Sequence, residues 1–170
     1  KTRGCMIFDL SYIADYDWWD YMKKVKVTQL EQTDCKELNE ICKDTFREEY
    51  HMTEERIQKN LLEDPEFSWQ ESLKIVDPET GKILGFIGIK ISKNAELYPD
   101  TAWISLFAVR KEEQKKGYGR MLLATVCENL KKQGIKMIYV GQDFNNFFSG
   151  IPDPDEEKES LFTKCGFTLN

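Results

Sequence analysis

An apolar strand, a turn with two glycines and an amphipathic helix follow one another between residues 101 and 133, and this run constrains the fold more than any other part of the chain. Thr101–Val109 ends in the continuous apolar stretch Leu106–Val109, which predicts a strand buried on both faces of a sheet. The chain then passes through polar residues to Gly117-Tyr118-Gly119-Arg120. Leu122, Leu123, Val126, Cys127 and Leu130 recur at helical spacing, so a helix is expected over Gly117–Gln133, closed by Gly134. A strand covered on both faces needs helices on both sides, and 170 residues are the size of one domain. The expectation is a single mixed α/β domain.

The rest of the chain fits this plan. Gly4–Leu10 reads as a short strand, followed by a segment dense in aromatics that includes Trp18 and Trp19. Val25–Leu30 reads as a strand. Asp34 and Glu37 suggest a helix start of capping-box type, with Leu38, Ile41, Cys42 and Thr45 or Phe46 following at helical spacing and an end near Tyr50. Thr53–Leu62 reads as a second helix, stopped by Pro65. Leu73–Val76 and Ile83–Ile91 flank the turn Asp77-Pro-Glu-Thr-Gly81 and read as a hairpin. Met137–Val140 is the next strand, residues 141–155 are irregular, Asp155–Lys164 is a short helix, and Gly166-Phe167 opens a last strand fragment. The division expected is an extension at 1–24 carrying a candidate extra strand, then a domain at 25–170.

Gly117 and Gly119 allow a tight turn and close approach of a ligand to the backbone. The first N–H groups of a helix lack internal acceptors and lie at the positive end of its dipole. With Lys115, Lys116 and Arg120 nearby, the turn suits an anion such as a pyrophosphate. On these residues alone, a plain strand-to-helix turn with solvated lysines remains an alternative. The spacing is neither a Walker loop nor the three-glycine dinucleotide turn, since Leu122 stands where the third glycine would be.

The fuller pattern Gln114-x-x-Gly117-x-Gly119, after Ile104–Val109, resembles the acetyl-CoA signature of the GCN5-related N-acetyltransferase (GNAT) superfamily. Leu161–Phe167 is similar to that family's closing helix and Gly-Phe, and Phe147-Phe148-Ser149-Gly150-Ile151-Pro152 resembles a run found in its tandem-domain members. The resemblance implies a mixed central sheet with splayed strands, flanked by about four helices. It implies acetyl-CoA as co-substrate, with Phe107, Ala108 and Val109 along the pantetheine arm and Gln114, Lys115, Lys116, Gly117, Tyr118, Gly119 and Arg120 around the pyrophosphate. It implies direct acetyl transfer to a primary amine of an acceptor the sequence does not name. The alternative is a non-catalytic acyl-CoA-binding module. Two departures stand out: Phe162 occupies the position of the family's proton-donating tyrosine, and Trp103–Val109 carries no acid. Family members also have one more strand after the Gly-Phe. Gly4–Leu10 is expected to take its place, within one chain, by exchange in a homodimer or as the first strand of one half of a tandem-domain protein, against the plainer reading of an extension packed elsewhere through Trp18 and Trp19.

Asp143, just past the strand that would splay, is the candidate base or amine anchor, against the plainer reading of a turn-capping aspartate. Phe144, Phe147 and Phe148 either line an acceptor pocket or cover the core. Glu48, Glu49 and Tyr50 read as a solvated helix end, against the alternative that they face the acceptor, and His51 as a surface residue, against the alternative of a base. The net charge of −6 argues against general nucleic-acid binding. No apolar run is long enough to span a bilayer. Cys5, Cys35, Cys42, Cys127 and Cys165 include no C-x-x-C pair, so reduced thiols in a cytoplasmic protein are expected, and no metal set.

Overall fold

The computed structural model of the chain describes residues 6–9, 24–152 and 156–169. The aromatic segment with Trp18 and Trp19 lies outside the described residues, as do the outer residues of the expected strand Gly4–Leu10. The elements in chain order are β1 (Met6–Asp9), β2 (Lys26–Gln29), α1 (Cys35–Thr45), α2 (Glu54–Ile57, continued by a π-helical turn Gln58–Leu62), β3 (Leu73–Val76), β4 (Ile83–Ile91), β5 (Thr101–Val109), α3 (Tyr118–Lys132), β6 (Met137–Val140), α4 (Glu156–Lys164) and β7 (Phe167–Leu169). The strands form one seven-stranded sheet in the order β2-β3-β4-β5-β6-β1-β7. Every neighbouring pair is antiparallel except β5 and β6, which run parallel.

The sheet has a hydrophobic core on each face. On one face Leu122, Leu123, Val126 and Leu130 of α3 pack with Ile75, Ile87, Ile104 and Ile138. On the other, Leu38 and Ile41 of α1 and Ile57 and Leu61 of the α2 segment pack with Phe86, Leu106 and Ala108. The four α3 side chains are fully buried, each worth roughly 1.5–3 kcal/mol of apolar transfer. Helical spacing in the sequence therefore marks a real interior face.

A bulge divides β5. Gly88 pairs with Leu106 but Ile89 pairs with Ile104, so Ser105 is an extra residue. A bulge shifts the phase of the strand. Ala102 and Ile104 thus face the α3 side, whereas Leu106 and Ala108 face α1. Beyond this point β5 loses its neighbour on one side. β6 pairs only with Thr101–Ile104, and the last link is the N–H of Gly141 donating to the Ile104 carbonyl at 2.9 Å.

Local structure departs from the sequence reading in two places. α1 ends at Thr45, not near Tyr50: the Thr45 hydroxyl donates to the Val109 carbonyl, Phe46 turns extended, and Glu48–Tyr50 forms a separate 3₁₀ turn. The capping box is formed by Glu31 and Asp34, while Glu37 accepts from the Ile83 N–H and from Arg110. Thr53 caps α2 as expected, accepting from the Arg56 N–H. The strand expected over Gly4–Leu10 is present at Met6–Asp9. β1 pairs antiparallel with β6 on one side and β7 on the other, within one chain. Among the described residues no helix is long and apolar enough to cross a membrane.

Candidate functional site

Where β5 and β6 part, a cleft of about 520 Å³ opens. Its walls are the second half of β5, the glycine turn, α4, and the Gly141–Pro152 loop. Arg110 N–H donates to the Leu84 carbonyl. By the alternation of an antiparallel ladder, the backbone groups of Phe107 and the N–H of Val109 then face away from β4, into the gap. The Val109 carbonyl is already taken by the Gln114 amide at 3.0 Å and the Thr45 hydroxyl at 3.0 Å. A strand edge with free N–H and C=O groups inside a cleft is a template for an extended amide-bearing ligand.

The glycine turn closes one end of this edge. Gly117 adopts φ 89°, ψ −1°, a left-handed conformation that glycine takes without strain, and it is the N-cap of α3. It has no side chain to cap the helix, so the N–H groups of Tyr118 and Gly119 have no intrahelical acceptor. Gln114, Lys115, Gly117, Gly119 and Arg120 line the cleft, as do Phe107, Ala108 and Val109. Two members of the expected set do not. Lys116 is drawn off by Glu113, at 2.9 Å, which holds its pKa above the usual lysine value. Tyr118 packs against the core on the α3 side. Lys115 reaches Glu157 of α4 at 2.9 Å, and both side chains are about three-quarters exposed, so this pair contributes little to stability.

The structure corrects the expectation for Asp143. Its side chain is fully buried and bonded to Lys90 Nζ at 2.5 Å, and it accepts from the Ser105 hydroxyl at 3.0 Å. Lys90, also fully buried, lies 3.1 Å from Asp64 and donates to the Phe144 carbonyl at 2.9 Å. A carboxylate locked to a buried ammonium is not open to an amine in the cleft. It anchors the loop, as a turn-capping aspartate would, but through Lys90 and the bulge residue Ser105.

The aromatic loop divides by residue. Phe147 is buried in the core on the α1 side, Phe144 is 66% exposed, and Phe148 lines the cleft. Gly141, at φ 68°, must be glycine because a Cβ there would collide with the Phe148 carbonyl. Phe162 is buried, with its ring edge-to-face against Phe107 at 5.9 Å and Phe167 at 5.4 Å. It forms part of the cleft wall and has no proton to give. β5 carries no acid. Burial pushes the thiols of Cys127 and Cys165 up, and Arg120 offsets this only partly at Cys165, so neither is a thiolate at neutral pH.

Sequence reasoning missed Thr45 and the cleft-lining face of α4, where Lys158, Ser160, Leu161 and Lys164 stand. Thr45 sits in a helical apolar pattern, and α4 reads only as a short closing helix. Neither carries a signal that names a ligand.

Solved structures share this architecture. The ribosomal-protein-S18-alanine N-acetyltransferase of Escherichia coli aligns with a TM-score of 0.65 and 18% identity, over 85% of this chain and 77% of that one. A GCN5-related N-acetyltransferase of Sphaerobacter thermophilus aligns at 0.67 and 17%, over 98% of this chain and 48% of that one, so this chain spans about half its length. The PaiA N-acetyltransferase of Thermoplasma acidophilum, solved in complex with coenzyme A, aligns at 0.61 and 19%, over 86% and 91%. Identities this low show a shared fold. No curated protein matches. Residues 35–167, which hold the cleft, the glycine turn and the splayed strands, match the acetyltransferase (GNAT) family, and the chain belongs to that family.

Proposed function

We propose that the chain transfers an acetyl group from acetyl-CoA to a primary amine, acting in the cytoplasm. One observation carries this reading: the unpaired edge of β5 leads directly to the glycine turn of α3 inside a single cleft. An acyl-CoA has a matching order of parts, with a thioester, two amides and a pyrophosphate in sequence. Phe107 and Val109 would bond the pantetheine amides. The N–H groups at the start of α3, with Lys115 and Arg120, would hold the pyrophosphate. The thioester would then lie where β5 and β6 separate, near Ser105 and Gly141.

The residues at the reacting end set conditions on the chemistry. An amine attacks only when neutral, so a proton must leave it at pH 7. Phe162 cannot protonate the departing sulfur, so that proton comes from the amine nitrogen or from water. The absence of an acid on β5 and of a donor at Phe162 favours a second reading, in which the chain holds acyl-CoA without turnover. Release of free coenzyme A from acetyl-CoA, assayed across a panel of primary amines, separates the two. Amine-dependent release supports transfer; tight binding with no release by any amine supports the holding role.

A further inference from the structure

His51 is the only histidine of the chain. The structure places it on the wall of a second cavity, of about 300 Å³, lined by Glu49, Tyr50, His51, Arg56 and the segment 146–149. This cavity adjoins the large cleft. Phe148 lines both, and its ring is held edge-to-face between Phe46 at 5.3 Å and Tyr50 at 5.8 Å. Phe148 therefore belongs both to the cavity wall that carries the histidine and to the wall of the cleft.

The imidazole is oriented. Its Nε2 lies 2.9 Å from the Phe46 carbonyl oxygen, and its backbone N–H donates to the Glu48 carbonyl at 3.1 Å. A carbonyl only accepts, so Nε2 carries the hydrogen and, in the neutral ring, Nδ1 holds the lone pair. Phe46 in turn lines the cleft, so the anchor of the ring is part of the cleft wall.

Three other groups that could take a proton are closed. Asp143 is buried on Lys90, and the thiols of Cys127 and Cys165 are pushed up by burial. Of the residue types lining the two cavities, imidazole alone ordinarily titrates between pH 5 and 8. The charged and titratable groups around His51 are Glu48, Glu49, Tyr50 and Arg56. Glu49 is paired with Arg47 at 3.0 Å, and the Arg56 guanidinium sits over the Phe147 ring at 5.5 Å. The 146–149 side contributes no titratable side chain.

We propose that His51 is the general base of the transfer, and that the acceptor amine reaches the cleft past Phe148 from the cavity His51 lines. The proposal rests on the transfer reading above. The acceptor arrives as an ammonium, and His51 Nδ1 takes one of its protons. The nitrogen lone pair then forms the C–N bond at the thioester carbonyl carbon. The C–S bond breaks with its electron pair going to sulfur, and the second nitrogen proton ends on the thiolate. The products are the amide and free coenzyme A, and the imidazolium returns its proton to solvent.

The test uses His51→Gln on the full chain. Glutamine keeps an N–H donor for the Phe46 carbonyl but has no basic nitrogen. Coenzyme A release is measured from pH 6 to 10 at saturating acetyl-CoA with the amine panel, beside the melting shift that acetyl-CoA produces. The expected result is a kcat about 100-fold lower near neutral pH, an unchanged melting shift, and an acidic limb of the kcat profile displaced towards the pH at which the amine itself loses its proton. The deficit should shrink towards pH 10, where amines lose their proton in solution. Wild-type kcat and profile in the variant overturn the proposal. So does a fall in kcat with the acidic limb kept at its wild-type position, or a lost melting shift, since either makes the ring structural. If the wild-type chain binds acetyl-CoA but releases none with any amine, the transfer reading fails first and the base falls with it.

Discussion

Asp143 and Lys90 show how a buried charge reads differently from sequence and from structure. A carboxylate just past a splayed strand looks available for chemistry, but burial beside a lysine makes it a cross-link between the loop, β4 and the bulge of β5. Leaving one partner of a buried ion pair alone costs about 3–5 kcal/mol. Asp143→Asn leaves Lys90 with Asp64 and is therefore expected to cost less than that, roughly 1–3 kcal/mol, and to leave the shape of the pH–rate profile unchanged. Urea unfolding and the profile, measured together, check this. A large loss of turnover at unchanged stability would return Asp143 to the chemistry. The other informative residue is Phe148. Its sequence context, three phenylalanines near two glycines, gives no means to decide which ring covers the core and which lines a cavity.

At the scale of elements, most of the plan was legible because period and punctuation agree. α3 has an unbroken apolar face and glycines at both ends, and the hairpin of β3 and β4 has a proline and a glycine in its turn. The end of α1 was not legible. Phe46 continues the helical spacing, but tertiary bonds from Thr45 to Val109 and from Lys111 N–H to Asp44 stop the helix. The β5 bulge was likewise invisible, since Ile104-Ser105-Leu106 reads as ordinary strand; only the partner's register reveals the extra residue. The N-terminal edge of α1 holds a further buried pair. Lys74, with its side chain 8% exposed, bonds Asp34 at 2.7 Å and Glu31 at 2.8 Å. Burial works against its charge, but the two carboxylates outweigh it and hold its pKa above the usual lysine value. Such a group stabilises the fold at pH values below its ordinary pKa, and the contribution is lost as pH rises through the folded value. Glu31, held below its usual range by Lys74, contributes above pH 4.5 and loses this as pH falls. Lys74→Met should cost about 3 kcal/mol at pH 7. The gap to wild type should narrow above pH 10.5, in melting curves taken across pH. A gap that widens there would contradict the assignment.

For the whole molecule, the sheet is continuous only because β1 stands between β6 and β7. The sequence pointed to this through a spare strand at one end and a missing one at the other, whereas nothing in it fixed the register Ile7 with Tyr139 and Thr168. Removing residues 1–10 would expose two strand edges at once, and exposed edges pair with other chains. The expected outcome is aggregation or loss of cooperative melting; a stable monomer with normal melting would contradict a structural role for β1. The splay between β5 and β6 is the basis of the functional reading. Acetyl-CoA at 100 times its dissociation constant should stabilise the chain by about 2.7 kcal/mol. Gly117→Asp puts a side chain and a negative charge where the account seats pyrophosphate, at a φ that non-glycine residues disfavour. The direct measurement is calorimetric titration of acetyl-CoA into the wild-type chain and into folded Gly117→Asp. Binding by the first and none by the second is the predicted result. Equal affinity in both, or no binding by the wild-type chain, would contradict the placement of the acyl-CoA in this cleft.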